Sequence, residues 1–208
     1  MKDLRQNYTK SQLLENNIPQ NPIELFHSWF QDALKGGVIE PNAFVLSTVN
    51  DGMADARTIL LKGERDSEFV FYTNYESNKS KQLEKNNNCS LLFLWLPVER
   101  QLIIRGKAKK VTAKESDEYF NSRPKSSQIG AWASNQSSPV NSRTELEKVL
   151  KKLEDKYENI EVPRPDHWGG FAIEPTEIEF WQGRANRLHD RLIYVKNGDS
   201  WIVKRLQP

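Results

Sequence analysis

The sequence predicts a mainly β protein with peripheral helices and antiparallel strands, and three observations support that fold class. From residue 43 onward, apolar and polar residues alternate in short runs that are rich in β-branched and aromatic side chains. Two pairs of these runs are joined by Asn50-Asp51-Gly52 and Asn197-Gly198, which are typical of β-hairpin turns. The Gly-rich phosphate motifs GxGxxG and GxxxxGKS/T do not occur. A closed or partly closed barrel is therefore favoured over a doubly wound sheet.

The first helix has a clear start and one apolar stripe. It is predicted to begin at Pro22, because Asn21 can cap it and Glu24 lies three residues after the cap. A glycine pair at positions 36 and 37 ends it. The stripe should pack on the sheet and consists of Ile23, Phe26, Trp29, Phe30, Ala33 and Leu34.

Strands make up most of the rest of the chain, and helices interrupt them. The predicted strands are residues 43–49, 54–61, 68–73, 89–95, 101–111, 170–173, 178–181, 191–195 and 201–206. Helices are predicted at residues 79–85, 113–121 and 143–157. The last two helices begin with capping-box spacing, Thr112 with Glu115 and Ser142 with Glu145.

Length and composition indicate one domain without disulfides or metal. A chain of 208 residues buries roughly 70% of its unfolded surface when it folds, so its core needs neither a disulfide nor a metal for stability. Residues 1 to 20 are polar without a sustained period and predict a mobile N-terminal arm, ahead of a single domain over residues 21 to 208. Cys89 is the single cysteine and no Cys/His cluster occurs, which excludes a disulfide scaffold and a zinc site.

Charge and hydropathy exclude some partners and locations. The 30 Lys and Arg residues against 28 Asp and Glu give a net charge of +2, too little to indicate a nucleic-acid or membrane partner. The segment MKDLRQNYTK has no apolar stretch after its charges, unlike a secretory signal. The longest apolar run, residues 91 to 96, is far shorter than the ~20 residues of a membrane-spanning helix. A cytoplasmic protein is expected.

Four stretches combine a cation with hydroxyl or amide donors, as a phosphate site requires. They are RTILLK at 57–62, SNK at 77–79, YFNSRPKSS at 119–127 and NQSS at 135–138. In the third, Tyr119 and Arg123 share a helix face, and the turn at Pro124 can bring Ser127 beside them to hold one anion. Alternatively, Arg123 only satisfies the last carbonyls of a helix.

Alternation along a strand would place the two cations of RTILLK on opposite faces. Arg57 and Lys62 would then serve two anions, or one of them would bind an anion and the other would be a solvated edge charge. Alternatively, both are only charges that flank an apolar strand.

Alternation in RLHDR would place Arg187, His189 and Arg191 on one face, either towards a polar ligand or on a solvent-exposed edge strand. His189 is the best candidate for a general acid or base.

Motifs along nearly the whole chain resemble the pyridoxine/pyridoxamine 5′-phosphate oxidase family. The matching stretches are RTILLK at 57–62, FYTN at 71–74, SLLF at 90–93, ERQ at 99–101, YFNSRPKSSQIGAWAS at 119–134, NQSS at 135–138, WGGF at 168–171, EFWQG at 179–183, RLHDR at 187–191 and the terminal RLQP. The resemblance implies an FMN-binding split barrel that works as a homodimer, with two FMN sites at the subunit interface.

The resemblance also implies the site residues. FMN would contact Arg57, Thr58, Ile59, Leu60, Leu61, Lys62, Tyr72, Thr73, Asn78, Lys79, Gln101, Gln136, Ser137, Trp181 and Arg191. The substrate would contact Arg5, Tyr8, Lys62, Tyr119, Arg123, Ser127, Arg187, Leu188 and His189, with residues 5 to 8 closing as a lid. Arg187 and His189 would be the catalytic residues, which orient the pyridine ring.

The implied reaction oxidises pyridoxamine 5′-phosphate and pyridoxine 5′-phosphate to pyridoxal 5′-phosphate. A hydride passes from the substrate C4′ carbon to flavin N5, and O₂ then reoxidises the flavin to give H₂O₂. Two anions, one on FMN and one on the substrate, would match the two faces of RTILLK.

The sequence departs from the family pattern at two positions. Asn78 stands where the family usually has an arginine, which removes a charge near the FMN phosphate and predicts weaker FMN binding. Glu40 stands where an aspartate is common.

Three alternatives are a split-barrel flavoprotein with another substrate, a non-catalytic binder of FMN or pyridoxal phosphate, and a basic nucleic-acid-binding module. Acidic residues interleaved with the basic stretches argue against the third.

Overall fold

The computed structural model describes Leu4 and residues 6 to 208, which form a mainly antiparallel β fold with peripheral helices. The strands are β1 (Ala43–Asn50), β2 (Met53–Leu60), β3 (Gly63–Arg65), β4 (Glu68–Asn74), β5 (Asn88–Trp95), β6 (Arg100–Lys110), β7 (Trp168–Gln182), β8 (Asp190–Asn197) and β9 (Ser200–Leu206). The helices are α1 (Pro22–Lys35), α2 (Asn78–Lys85), α3 (Ala113–Ser122), α4 (Lys125–Ala133) and α5 (Arg143–Lys156). The predicted fold class is confirmed.

Strand β7 is central to the sheet because it pairs with three strands: β6 on one side, and β4 and β8 one after the other on the opposite side. The strand order is β2-β1-β5-β6-β7-β4-β3, and β8 and β9 continue from β7 separately. The first part of β7 pairs with β4, and its last part pairs with β8. Strand β6 pairs with β7 along its whole length. After β2, the Lys62 N–H donates to the Val70 carbonyl of β4. This hydrogen bond connects the β1–β2 hairpin, at one end of the strand order, with β4 near the other end.

Residues 168 to 182 form one strand where the sequence predicted two. The pairing with β6 shifts between Arg105 and Gly106, which pair with Glu177 and Pro175, so Thr176 is an extra residue. This β-bulge accommodates Pro175, which has no N–H for the ladder. A polar, proline-containing interruption in the sequence is therefore a bulge and not a loop.

The core lies inside the curved sheet, and α1 closes one side of it. The predicted caps are confirmed, since the Asn21 side chain accepts the Ile23 N–H. Most of the predicted stripe is buried, including Phe26 and Trp29, but Leu34 is exposed. Leu25, which was not assigned to the stripe, is buried. The Phe26 ring contacts Phe69 edge to face at 5.0 Å between centroids.

A smaller apolar cluster lies under α3, α4 and α5 and is built on Phe120, Ile129, Tyr157, Val162 and Trp168. The capping box at Thr112 and Glu115 is confirmed, and Ser142 accepts the Glu145 N–H. Helix α4 was not predicted, because its sequence is short and has no wide apolar stripe.

The segment before α1 contacts the barrel in the described residues. The Leu13 side chain is buried in the core, and its N–H donates to Asp190 Oδ2 at 3.0 Å. Arg205 donates to both Glu15 and Asp190. The expected mobility of residues 1 to 20 stays a prediction.

Cys89 is buried, as expected for a structural thiol, and burial raises the pKa of the thiol to about 12. None of the helices in the described part of the chain is long and apolar enough to cross a membrane.

Candidate active site

Most of the residues that the sequence singled out line one cavity of about 710 Å³ between β2, β4 and helices α2 to α4. The predicted site residues in its wall are Arg57, Thr58, Ile59, Leu60, Lys62, Tyr72, Thr73, Lys79, Tyr119, Arg123, Ser127 and Gln136. The fold thus brings together residues from all four phosphate-site stretches predicted from the sequence, which lie up to about eighty positions apart. Their assigned roles stay predictions.

Lys79 is a buried cation at one end of this cavity. The residue is only 8% exposed. Its Nζ atom donates to Gln136 Oε1 at 2.7 Å, and to Thr73 Oγ1 and Ser77 Oγ at 3.2 Å each. These partners are neutral, and no carboxylate in the described residues forms an ion pair with Lys79. Burial, together with the Arg57 guanidinium, lowers the pKa of Lys79 to about 8. The arrangement favours an anionic ligand, which would stabilise the charged amine.

A hydrogen-bonded network positions Arg57 beside Lys79. Its guanidinium donates to Thr48 Oγ1 at 2.6 Å and to Gln82 Oε1 at 3.1 Å, and it pairs with Asp55 Oδ2 at 2.6 Å. Gln82 Nε2 also donates to Asp55, and this hydrogen bond lowers the pKa of the Asp55 carboxyl. Thr48 and Gln82 are buried, so the guanidinium is held in one orientation.

Arg123 lies elsewhere in the cavity wall and has an unsatisfied donor. Its Nη1 atom is buried without a hydrogen-bond partner, and the guanidinium carbon lies 4.6 Å from the centroid of the Trp168 ring. Burial lowers the pKa of Arg123. The Phe120 carbonyl at the end of α3 accepts the Arg123 backbone N–H at 3.1 Å and Gln128 Nε2 at 2.9 Å. The Arg123 guanidinium instead lies over Trp168, so the alternative in which that side chain satisfies the last helix carbonyls is not supported.

Stacked aromatic rings form one wall near Arg123. The rings of Tyr72 and Tyr119 stack at 3.9 Å between centroids, and Trp168 is nearly parallel to both. Burial raises the pKa of Tyr72, so its phenol stays protonated at neutral pH. The wall combines flat apolar surface with phenol groups, which suits a planar heteroaromatic ligand.

Arg57 and Lys62 both line the same cavity, although alternation along a strand would have placed them on opposite faces. That they serve two different anions stays a prediction. Strand β2 ends at Leu60, so alternation does not extend to Lys62. Leu61 lies in the hydrophobic core and does not line the cavity. Asn78 and Ser137 are also outside its lining and contact each other, with the Asn78 N–H donating to Ser137 Oγ at 3.3 Å.

The remaining predicted site residues form a second group on a different part of the sheet. Gln101, Trp181 and Arg191 are direct neighbours across β6, β7 and β8, so their side chains share one face. Arg191 donates twice to Glu179 Oε1, at 2.9 and 2.6 Å. Strand β8 is paired on both sides, so the solvent-exposed edge strand considered for RLHDR is wrong.

His189 contacts Trp181 in this second group, with the two rings tilted by 42° and 4.6 Å between their centroids. Its Nδ1 atom accepts the Arg184 N–H at 3.1 Å, so a neutral ring carries its proton on Nε2. Burial and the neighbouring Arg187 lower the pKa of His189, which favours that neutral form. The Tyr8 ring lies 5.8 Å from Trp181 and 5.9 Å from His189.

Residues 185 to 187 form a 3₁₀ turn, so the extended geometry expected for RLHDR begins only at β8. Asn186 and Arg187 both have positive φ, at 56° and 62°. Two adjacent non-glycine residues in that region store backbone strain, which is typical of functional loops. Arg187 and Leu188 are exposed, and Arg187 and Tyr8 line a cavity of about 480 Å³. Arg5, assigned to the lid, lies outside the described residues.

Sequence reasoning missed several residues that line the main cavity. They are Asn74, Pro124, Gly130, Ala131, Ser134 and Trp168. Three of them come from α4 and its end, which was not predicted as a helix. No group of His, Cys, Asp and Glu residues able to hold a metal occurs in the described chain.

Comparison with known proteins identifies the family. Residues 30–157 match the family model described as pyridoxamine 5′-phosphate oxidase, and residues 168–208 match the pyridoxine 5′-phosphate oxidase C-terminal dimerisation region. The chain is 51% identical to a pyridoxine/pyridoxamine 5′-phosphate oxidase of Rubrobacter xylanophilus, over 99% of this chain and 95% of that protein. It is 50% identical to the enzyme of the same name from Bacteroides thetaiotaomicron, over 99% of this chain and 98% of that one.

Solved structures are similar over nearly the whole chain. PhzG from Burkholderia lata 383, crystallised with tetrahydrophenazine-1-carboxylic acid, is 30% identical with a TM-score of 0.89, over 96% of this chain and 100% of that chain. A pyridoxamine 5′-phosphate oxidase-related, FMN-binding protein from Nostoc punctiforme shares the fold at 12% identity and a TM-score of 0.72, over 92% of this chain and 100% of that chain. The fold is the split barrel that the resemblance implied, and the chain belongs to the pyridoxamine 5′-phosphate oxidase family of oxidoreductases.

Proposed function

We propose that this protein oxidises pyridoxamine 5′-phosphate and pyridoxine 5′-phosphate to pyridoxal 5′-phosphate, with FMN as cofactor and O₂ as the final electron acceptor. One observation carries the proposal. The main cavity contains two cations, the buried Lys79 and the half-buried Arg123, that form no ion pair with a carboxylate in the described residues. Two phosphorylated ligands bound side by side would supply the missing anions.

The chemistry of the donor set at Lys79 fits the FMN phosphate. Lys79 supplies a charge, Arg57 supplies a preoriented guanidinium, and Thr73 and Gln136 supply neutral hydrogen-bonding groups. When bound, FMN supplies an electron-poor ring that accepts a hydride and then returns two electrons to O₂.

The group at Arg123 fits a substrate phosphate. Arg123, Tyr119, Ser127 and Lys62 all line the cavity and provide guanidinium, phenol, hydroxyl and ammonium donors. The unpartnered Nη1 of Arg123 would gain an acceptor on binding. A substrate without a phosphate would leave that donor unsatisfied, so selection for phosphorylated substrates follows.

The second group of residues leads us to expect a homodimer with a shared site. Trp181, His189 and Arg191 fall within residues 168 to 208, which match the dimerisation region, and they do not line the main cavity. We infer that they approach the cavity of the partner subunit, where Trp181 and Gln101 would contact FMN. Arg187 and His189 would then cover the pyridine ring.

His189 would orient the substrate and not remove a proton from it. Its Nδ1 is occupied by the Arg184 N–H, and the neutral imidazole offers an Nε2–H donor to the hydroxyl oxygen attached to the pyridine ring of the substrate. Arg187 adds positive charge beside the same ring. The contribution of both residues is to hold the C4′ carbon in position for transfer, which can supply a large share of a rate enhancement.

The overall reaction balances without any further reductant. Pyridoxine 5′-phosphate and O₂ give pyridoxal 5′-phosphate and H₂O₂. Pyridoxamine 5′-phosphate also consumes one water, which hydrolyses the imine formed at C4′ and releases ammonia.

Anaerobic addition of pyridoxamine 5′-phosphate to the FMN-loaded protein tests the proposal. We expect the flavin absorbance to bleach as pyridoxal 5′-phosphate forms, and to recover in air as O₂ reoxidises the flavin and gives an equal amount of H₂O₂. Unphosphorylated pyridoxamine is the matched control and should bleach the flavin only at much higher concentration. A flavin that stays oxidised with the phosphorylated substrate would contradict the proposal.

The similarity to PhzG supports a second candidate, oxidation of a reduced tricyclic carboxylic acid. In that case tetrahydrophenazine-1-carboxylic acid would bleach the flavin and pyridoxamine 5′-phosphate would not. The two cations without a carboxylate partner in the described residues, Lys79 and Arg123, favour the phosphorylated substrate.

A cytoplasmic location and the lack of a nucleic-acid partner also stay predictions. An unpaired buried thiol fits a reducing compartment. Cell fractionation and oligonucleotide binding at low salt would test them.

A further inference from the structure

Glu99 carries a buried carboxylate that belongs to none of the groups described so far. The residue is 9% exposed and lies between the end of β5 and the start of β6. Its φ of 57° is a left-handed conformation that a non-glycine residue adopts only when its surroundings impose it.

Main-chain contacts fix Glu99 against the end of β7. Its N–H donates to the Leu96 carbonyl at 3.0 Å. Its carbonyl accepts the Gly183 N–H at 2.8 Å and Gln182 Nε2 at 3.2 Å. The backbone that carries the carboxylate is therefore anchored to the strand that contains Trp181.

The carboxylate binds the N-terminal segment. Oε2 accepts both the Thr9 N–H and the Lys10 N–H, each at 2.9 Å. Lys10 Nζ also donates to the Pro97 carbonyl at 2.6 Å. Charge-assisted hydrogen bonds to two successive backbone amides define the path of the chain at this point.

Tyr8 is the residue whose position depends on that path. Its ring contacts Trp181 and His189, and a Cβ on Gly183 would lie 2.7 Å from Tyr8 Cγ. Glycine at position 183 therefore provides the space that the Tyr8 ring occupies. Cavities of about 480 and 640 Å³ lie on the two sides of this ring, the first lined also by Arg187 and His189 and the second by Lys10 and Glu99.

A separate anchor holds the chain a few residues later. The Leu13 N–H donates to Asp190 Oδ2, and the Leu13 side chain is buried. Loss of the Glu99 carboxylate would release residues 6 to 10 and leave the segment from Leu13 onward attached.

We propose that Glu99 is a positioning residue, which docks the N-terminal segment through the Thr9 and Lys10 amides and so places Tyr8 against Trp181 and His189. The inference rests on the proposed function for its catalytic consequence. Its structural part, the docking of the segment, can be tested without any substrate.

Hydrogen exchange of the FMN-loaded full-length protein, followed by mass spectrometry, is the direct test. Glu99→Ala should speed exchange at the Thr9 and Lys10 amides by at least tenfold and leave the Leu13 amide unchanged. Glu99→Gln should restore much of the protection, because its amide oxygen can accept both N–H groups. Glu147→Ala, which removes an exposed carboxylate on α5, is the control and should change neither amide.

Lys10→Pro gives an independent variant that leaves the barrel untouched. Proline has no N–H, so one of the two donors to Glu99 is removed without altering Glu99 itself. Faster exchange at Thr9 is expected in this variant. Unchanged exchange at Thr9 and Lys10 in Glu99→Ala, or at Thr9 in Lys10→Pro, would overturn the docking role.

Kinetics separate positioning from a general structural effect. Glu99→Ala and Tyr8→Ala should each lower kcat/KM for pyridoxamine 5′-phosphate, with unchanged affinity for FMN. The double variant should be no worse than Tyr8→Ala alone, because Glu99 acts through Tyr8. Additive losses would overturn the positioning role. Failure of the substrate to react in the wild type would contradict the proposed function and leave the exchange result standing.

Discussion

At the scale of single residues, the described cations fall into paired and unpaired groups. Arg57 and Arg191 each have a carboxylate partner, Asp55 and Glu179, which offsets their partial burial. Lys79 is buried and Arg123 is half-buried, but in the described residues they contact only neutral groups or aromatic rings. Burial of an unpaired charge is unfavourable, so these two positions are where a bound anion would contribute most to stability.

Arg123→Ala should raise KM for pyridoxamine 5′-phosphate by about 10- to 100-fold, the loss expected when a hydrogen bond to a charged group is removed. The value of kcat should change much less. Steady-state kinetics with Lys125→Ala as a matched control would check this, because Lys125 is exposed and donates to the Glu158 carbonyl outside the main cavity. An unchanged KM would remove Arg123 from the phosphate site.

Lys79 should make FMN binding sensitive to pH. Because its pKa is lowered to about 8, the FMN-free protein loses the ammonium charge as pH rises through that value. Phosphate binding then requires uptake of a proton, so the Kd for FMN should rise above pH 8, by at most about tenfold per pH unit. Fluorescence titrations between pH 7 and 9.5 would measure it.

Two controls isolate the Lys79 effect. Riboflavin lacks the phosphate and should bind with little change over that pH range. Lys79→Met should bind FMN more weakly and without the rise above pH 8. The same pH dependence for riboflavin as for FMN would refute the assignment.

At the scale of elements, the bulge between β6 and β7 decides which residues of β7 face the core. It shifts the register at Thr176, so that Ile173 and Ile178 are both buried although they are five positions apart in sequence. Without the extra residue, the side chains at one end of β7 would point away from the core, because a shift of one residue moves every side chain to the other face of the sheet. Gly106 makes this close approach possible, because a Cβ there would overlap the Glu174 carbonyl.

Gly106→Ala should therefore lower the free energy of unfolding by about 1–3 kcal/mol, as overpacked sites usually do. Gly63→Ala is the matched control, since a Cβ at Gly63 would meet no atom within 4 Å. Denaturant unfolding of both variants would test the difference. Equal stability of the two would show that the backbone at the bulge adjusts freely.

At the scale of the whole molecule, the predicted site residues occupy two separate regions of one chain. The main cavity gathers the residues of β2, β4 and α2 to α4, whereas Gln101, Trp181 and Arg191 lie in one row on β6, β7 and β8. The proposed homodimer would bring the two regions together, so each site would use both subunits.

Subunit complementation tests that arrangement. Assayed at a pyridoxamine 5′-phosphate concentration well below the wild-type KM, Arg123→Ala and Arg187→Ala homodimers should each have little activity. Co-expression of both chains should restore about a quarter of wild-type activity, because half of the dimers are mixed and each mixed dimer has one intact site. No recovery in purified mixed dimers would place both residues in a site within one chain.

The sequence determined the fold class, most strands and helix starts, and the motifs that identify the family. These depend on alternation, caps and turn residues, which act over a few neighbouring positions, as at Thr112 with Glu115. The phosphate-site stretches were also predictable, because a cation beside hydroxyl and amide donors is a local pattern. Helix α4 was not, since Pro124 ended the predicted helix and the following residues show little amphipathic period.

Only the tertiary structure decided which of those stretches meet. It placed Lys62 and Arg57 in one cavity and joined Glu99 to amides some ninety positions earlier. It also left Arg123 Nη1 without a hydrogen-bond partner among the described residues. Such contacts depend on strand pairing and on backbone N–H groups, which every residue except proline has and which therefore leave no pattern in the sequence.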